Sequence, residues 1–148
     1  MFYLSDIIPA TDNTHLQMQF QTGGSWTAAY KTSAPYYSWH EEDDGSSGIT
    51  YSSSHDIANG TAAQVIFEGL VNRGHQGCGG EICLWNPAGT TWSGKGWTSE
   101  VMATRDSDRV TRFAANGICT ITTAITGVRF NMSSGNFSGT IKMYGIGG

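Results

Sequence analysis

His75, Cys78 and Cys83 stand in an H-x2-C-x4-C pattern, which offers the imidazole and thiolate ligands that zinc prefers. A tetrahedral site needs a fourth ligand, and Cys119, His40 or His55 would have to supply it from a distant part of the chain. Cys83 lies between Ile82 and Leu84, and Cys119 follows Ile118. Buried thiols acting as small apolar side chains are therefore the commoner account. A Cys78–Cys83 bridge stays open at this point, because spacing alone does not supply disulfide geometry. His55-Asp56 among abundant serines has the ingredients of a Ser/His/Asp set, but no G-x-S-x-G elbow accompanies it. Glu68, Glu81 and Glu100 would serve glycoside hydrolysis if two of them faced one cleft. Each falls at an outward position of a strand-like segment, where a carboxylate is ordinary polar surface.

The run Glu41-Glu42-Asp43-Asp44-Gly45 is rich in oxygen ligands, yet it lacks the alternating acids and distal Glu of a calcium loop, so it reads as a solvated loop. Asp106-Ser107-Asp108 has better spacing for a cation, although turns use Asp for local hydrogen bonds far more often. The 5 tryptophans are a rich complement for this length. Trp92 and Trp97 flank the glycine-rich Ser93-Gly94-Lys95-Gly96. An aromatic side chain there stacks on a sugar face or packs on a neighbouring subunit. Trp92, Trp97, Tyr36 and Tyr37 are thus the candidate glycan or subunit contacts, while Trp39 and Trp85 are expected in the core. No catalytic, metal-binding or cofactor-binding residue is expected.

These residues must be positioned by strands. The sequence has 148 residues, a length suited to one domain with a real core. Charged residues are only 14% and aromatics 11%, with 20 glycines, which suits many short strands joined by tight turns. Period-two alternation is clearest at 15–21, where Leu16, Met18 and Phe20 oppose His15 and three glutamines. Further strands are expected at 2–8, 25–30, 35–40, 81–85 and 97–104, and 63–71 reads as a strand or a short helix, with strand favoured by its short run of Val, Ile and Phe. A long surface loop is expected over 41–54. Asn116-Gly117 reads as a turn before a long segment, 118–132. Two β-type segments around the loop 133–138 read as a closing hairpin. The sum is roughly eight or nine strands, which predicts an all-β, single-domain antiparallel sandwich of jelly-roll type over 1–148.

The net charge of -4, with no Lys/Arg cluster, leaves no footprint for a nucleic-acid backbone. No apolar run approaches the ~18 residues of a membrane span, and the start of the chain has no secretion-signal pattern. An odd count of 3 cysteines argues against a disulfide scaffold and for assembly in a reducing cytoplasm.

The organisation resembles a family of small bacteriophage virion domains found in tail-fibre or receptor-binding tips and in capsid decoration proteins. The shared features are an opening strand from Phe2-Tyr3-Leu4 to Ile8-Pro9, a His15-Leu16-Gln17-Met18 strand, and Leu84-Trp85-Asn86-Pro87. The closing features are Ala124 to Phe130, Ser134-Gly135-Asn136-Phe137, and Gly139 to Ile146. The resemblance spans most of the chain. It implies a non-enzymatic β-sandwich virion component, oligomeric as a rule, with no catalytic residue to carry over. Long fibre proteins of this kind place the domain after an anchor and shaft. Here the first strand comes almost at once, which fits either a stand-alone module on a capsid or tail surface or a piece of a longer chain.

The expectation is therefore a virion structural protein, assembled in the host cytoplasm and displayed as a homotrimer in contact with capsid or tail proteins. The alternative is a receptor-binding tip that holds host-surface glycans through exposed aromatics. Apolar residues on both faces of the last strand, Ile141 and Met143 against Tyr144 and Ile146, lead one to expect a packed last strand with Tyr144 substantially buried.

Overall fold

The computed structural model describes residues 1–72, 77–91, 94–105 and 108–145. It is all-β, with no helix among those residues. Two antiparallel sheets pack face to face as a sandwich, and they divide the strands unevenly.

The larger sheet holds β1 (Phe2–Pro9), β3 (Lys31–Glu41), β4 (Ser47–Tyr51), β5 (Ile57–Gly60), β7 (Cys78–Trp85), β8 (Lys95–Arg105), β9 (Arg109–Cys119) and β11 (Phe137–Met143). Its order is β11-β1-β7-β8-β9-β3-β4, with β5 also paired to β3. The smaller sheet has β2 (Thr14–Thr22) between β10 (Ile125–Met132) and β6 (Gln64–Leu70).

Alternation explains which residues meet between the sheets. Leu16, Met18 and Phe20 of β2 are buried as the sequence pattern requires. They face Ile82, Trp97, Val101 and Phe113 of the larger sheet within one core cluster. Phe20 meets Trp97 edge to face, with centroids 5.3 Å apart, and Phe2 of β1 meets Phe130 of β10 in the same way at 5.3 Å. Burial of this apolar surface is the main favourable term holding the two layers together.

Several expectations need correction. The segment 25–30 is not a strand but a loop, held by the isolated bridge between Thr22 and Ser25. It folds back over the outer face of β2, where Trp26 stacks under Arg129 at 4.7 Å and its carbonyl accepts from Gln19 Nε2 at 2.8 Å. That cover buries Gln19, a residue expected on a wet face. The expected loop 41–54 contains β4, so the acidic run is only the turn of a β3–β4 hairpin. Asn116-Gly117 lies within β9, fully paired on both sides, because the glycine is needed for close approach rather than for a turn.

The expected closing hairpin is not one. β10 pairs with β2 and β11 pairs with β1, so the connection crosses from one sheet to the other. β11 therefore has a single neighbour and forms a free edge. Tyr144, expected to be substantially buried inside the sandwich or at a subunit contact, is 48% exposed in the isolated chain, where no described strand pairs with that edge. Ile146 lies outside the described residues.

Candidate functional site

Cross-strand register determines what the larger sheet presents outward. On β7, Cys78 and Ile82 point into the core, whereas Glu81, Cys83 and Trp85 share the opposite parity. Across the ladder Glu81 faces Glu100, Cys83 faces Thr98, and Trp85 faces Gly96. Thr98 in turn faces Asn116, and Glu100 faces Ala114, which faces Tyr36 of β3. Small residues at the centre and aromatic ones at the rims leave a shallow depression of about 390 Å³. Tyr36, Glu81, Trp85, Thr98, Glu100 and Asn116 are among its lining residues.

Trp85 owes its position to Gly96. A Cβ at residue 96 would sit 2.5 Å from the indole Cζ2 and 2.9 Å from Nε1, so the ring lies across the neighbouring strand where only a glycine leaves room. The indole is nevertheless 45% exposed. The same device recurs at Trp39 over Gly48 and at Trp97 over Gly117, each a directly opposed pair.

Trp97 reverses the sequence expectation. It points inward and is 0% exposed, so it cannot touch a glycan or another subunit. The expected core residue Trp85 is the exposed one. Tyr37 is half-buried and stacked on Phe113 at 6.4 Å with rings 5° apart, which makes it inner-face packing. Tyr36 is half-buried on the outer face. Trp92 lies outside the described residues. Strand parity was the signal that distinguishes the two tryptophans. Trp85 alternates in step with Glu81, and Trp97 with Val101 and Ala103.

Of the three candidate carboxylates, Glu81 and Glu100 oppose each other across the β7–β8 ladder and line the same depression, whereas Glu68 is elsewhere. Arg112 Nε donates to Glu100 Oε1 at 2.6 Å. That hydrogen bond holds the Glu100 carboxyl below its ordinary pKa, the opposite of what a general acid needs. Glu68 sits on the smaller sheet, where Oε2 lies 3.3 Å from His55 Nε2. His55 is also 5.1 Å, ring to ring, from His15, whose Nδ1 accepts the Gly69 N–H at 3.0 Å. Burial first, and then neighbouring His55, lower the His15 pKa, although Glu68 acts the other way. Asp56 turns instead to Tyr51, whose hydroxyl donates to it at 2.7 Å, so His55-Asp56 forms no catalytic dyad.

The metal candidates separate too. Cys78 and Cys119 face the core, Cys83 faces outward, and all three are free thiols. Burial pushes the Cys78 thiol up to about 12 and Cys119 up to about 11. Among the described residues no three His, Cys, Asp or Glu side chains are placed to hold a metal ion. His75, Asp106 and Ser107 lie outside the described residues. In the acidic turn, Asp43 Oδ1 accepts the Gly45 N–H at 2.8 Å and Asp44 Oδ1 sits 3.2 Å from His40 Nε2.

Two buried lysines went unanticipated. Lys31 and Lys95 stand directly opposite Cys119 on either side. Lys95 Nζ donates to the Ile121 carbonyl at 2.9 Å. Lys31 Nζ has no hydrogen-bond partner among the described residues, and burial lowers its pKa to about 8.

A second concavity, a groove of about 680 Å³, opens between the ends of β1, β7 and β11 and the start of β10. Trp85, Pro87, Val128, Met143 and Tyr144 line it, and no lining side chain is charged. No helix of the described residues is long and apolar enough to cross a membrane. A scan against protein-family models, a search of curated proteins and a search of solved structures each found no match to this chain.

Proposed function

We propose that this chain is a non-enzymatic structural protein of a bacteriophage particle, displayed at the particle surface as an oligomer in a role such as capsid decoration. The viral part of this reading comes from the sequence resemblance. The observation that carries the assembly part is the groove of about 680 Å³, with no charged side chain in its lining, beside the edge of β11 that no described strand pairs. Met143 and Tyr144 are exposed there, and an apolar surface next to a free strand edge is the kind of patch that subunits cover. A closed trimer is the symmetry we propose. A tail-fibre or receptor-binding tip would share this assembly and differ in what the outer face holds.

Mass spectrometry of purified particles, with light scattering of the isolated chain, tests the reading. Expected are copies of the chain in the particles and a trimer mass in solution. Met143→Asp, an exposed position on β11, is expected to keep the melting temperature and to lower both the trimer fraction and particle occupancy. A soluble monomer absent from purified particles would end the proposal.

A further inference from the structure

We propose that the outer face of the larger sheet binds a neutral glycan, with one pyranose stacked on Trp85 and its hydroxyls read by Glu81, Thr98 and Asn116. This site is independent of where the chain sits on a particle.

A pyranose ring has an apolar C–H face and a rim of hydroxyls. Its recognition needs a fixed aromatic surface with an open side, and polar groups beside it that are not already occupied. Trp85 meets the first need. Gly96 lets the indole lie across β8, and nearly half of its surface remains open to solvent. The depression next to it meets the second. Thr98 lies across from Cys83, one outward position from Trp85 along β7, and Asn116 is opposed to Thr98. Directly opposed side chains in an antiparallel ladder are about 5 Å apart, within the span of one sugar ring. The side chains of Glu81, Thr98 and Asn116 make no hydrogen bond to another described residue. Tyr36 closes the far rim, and the volume of about 390 Å³ is of small-ligand size.

Charge selects the class of ligand. Around the depression the face carries Glu81, Glu100 and Arg112, and this arginine is already engaged by Glu100 at 2.6 Å. An aromatic platform also suits a nucleic-acid base, but a phosphate backbone would meet two carboxylates in the depression itself, with the one exposed lysine of this face, Lys142, two strands away on β11. A neutral glycan carries no such penalty. The Glu100–Arg112 pair has a positioning role, because it holds one carboxylate back and leaves Glu81 as the acceptor at the ring.

The test uses the full chain with neutral hexaoses of glucose, mannose, galactose and N-acetylglucosamine, and with an oligothymidylate of similar length. Saturation-transfer NMR and tryptophan fluorescence report binding. At least one hexaose is expected to bind, and Trp85→Ala is expected to weaken it roughly ten-fold or more with an unchanged melting temperature. Trp26→Ala, on the smaller sheet, is expected to bind as the parent does. Glu81→Gln is expected to weaken binding while Trp85 quenching persists at high sugar. Silence from all four hexaoses, tighter binding of the oligothymidylate, or equal binding by Trp85→Ala would each overturn the proposal.

Discussion

Gly96 and Trp97 are consecutive residues of β8, yet they serve opposite faces of the sheet. Gly96 lies under Trp85 on the outside, and Trp97 lies over Gly117 on the inside. Both pairs are an indole laid across a neighbouring strand at a glycine. Inside, the indole is sealed by Phe20 and holds the layers together. Outside, the same arrangement leaves an aromatic surface open to water. A local packing device thus acquires its role from the parity of the strand that carries it. The inner pair is packing, and the outer pair is the proposed recognition surface.

The comparison breaks most easily at the inner pair. Trp97→Ala is expected to cost about 3–5 kcal/mol, which lowers the melting temperature by roughly 10 °C in calorimetry. Gly117→Ala is expected to cost about 1–3 kcal/mol or more, because its Cβ would collide with Trp97 and stand 2.6 Å from the Thr32 carbonyl, a backbone atom. The matching outer change, Gly96→Ala, has its three nearest contacts on the half-exposed Trp85 ring rather than on backbone. A cost within about 1 kcal/mol is expected there. Equal costs at the two glycines would show that the faces are not different in kind.

Lys31 sharpens the comparison from the inner side. Its pKa falls from 10.5 to about 8 on folding, a penalty of about 3 kcal/mol for burying the charge. Lys31→Met is therefore expected to be more stable than the parent in urea unfolding at pH 7, by up to about 3 kcal/mol. The sign follows from proton binding. Between about pH 8 and 10.5 the unfolded chain holds this proton more tightly than the folded one, so the parent's deficit shrinks as pH rises through that window. A variant advantage that stays constant from pH 7 to 10.5 would show that Lys31 is not buried as a charge.

The smallest expected effect lies at His15. Its pKa is lowered in the fold, chiefly by burial and then by His55. Its contribution to stability is then complete above pH 6.5 and is lost as pH falls toward the folded value. Protonation also removes the Nδ1 lone pair that accepts from Gly69. His15→Gln is expected to flatten the acid limb of stability against pH in thermal melts between pH 7 and 5. An unchanged limb would mean that other groups set it.

Much of the fold was legible in alternation. Leu16, Met18 and Phe20 marked β2 by alternation, and the short Val65-Ile66-Phe67 run favoured a strand over a helix at β6 by composition. What escaped was information held between strands. Asn116-Gly117 reads as a turn because glycine signals both turns and close approach, and only the opposite residue, Trp97, tells which applies. The final two strands read as a hairpin because a short connection does not reveal that its ends belong to different sheets. Lys31 and Lys95 gave no sign of burial, since lysine is almost always outside. The candidate site was half legible. Tyr36 was singled out, whereas Trp85 and Trp97 were exchanged because a glycine-rich neighbourhood outweighed parity.

The central claim is that Trp85 is the open, ligand-responsive indole and Trp97 the sealed one. Fluorine NMR of the full chain labelled with 5-fluorotryptophan, with signals assigned through Trp85→Phe and Trp97→Phe, tests it directly. A soluble gadolinium chelate is expected to broaden the Trp85 signal and to leave that of Trp97 sharp. A neutral hexaose is expected to shift the Trp85 signal alone of the two. A broadened Trp97 signal, or a hexaose that shifts other tryptophans and leaves Trp85 in place, would contradict the claim.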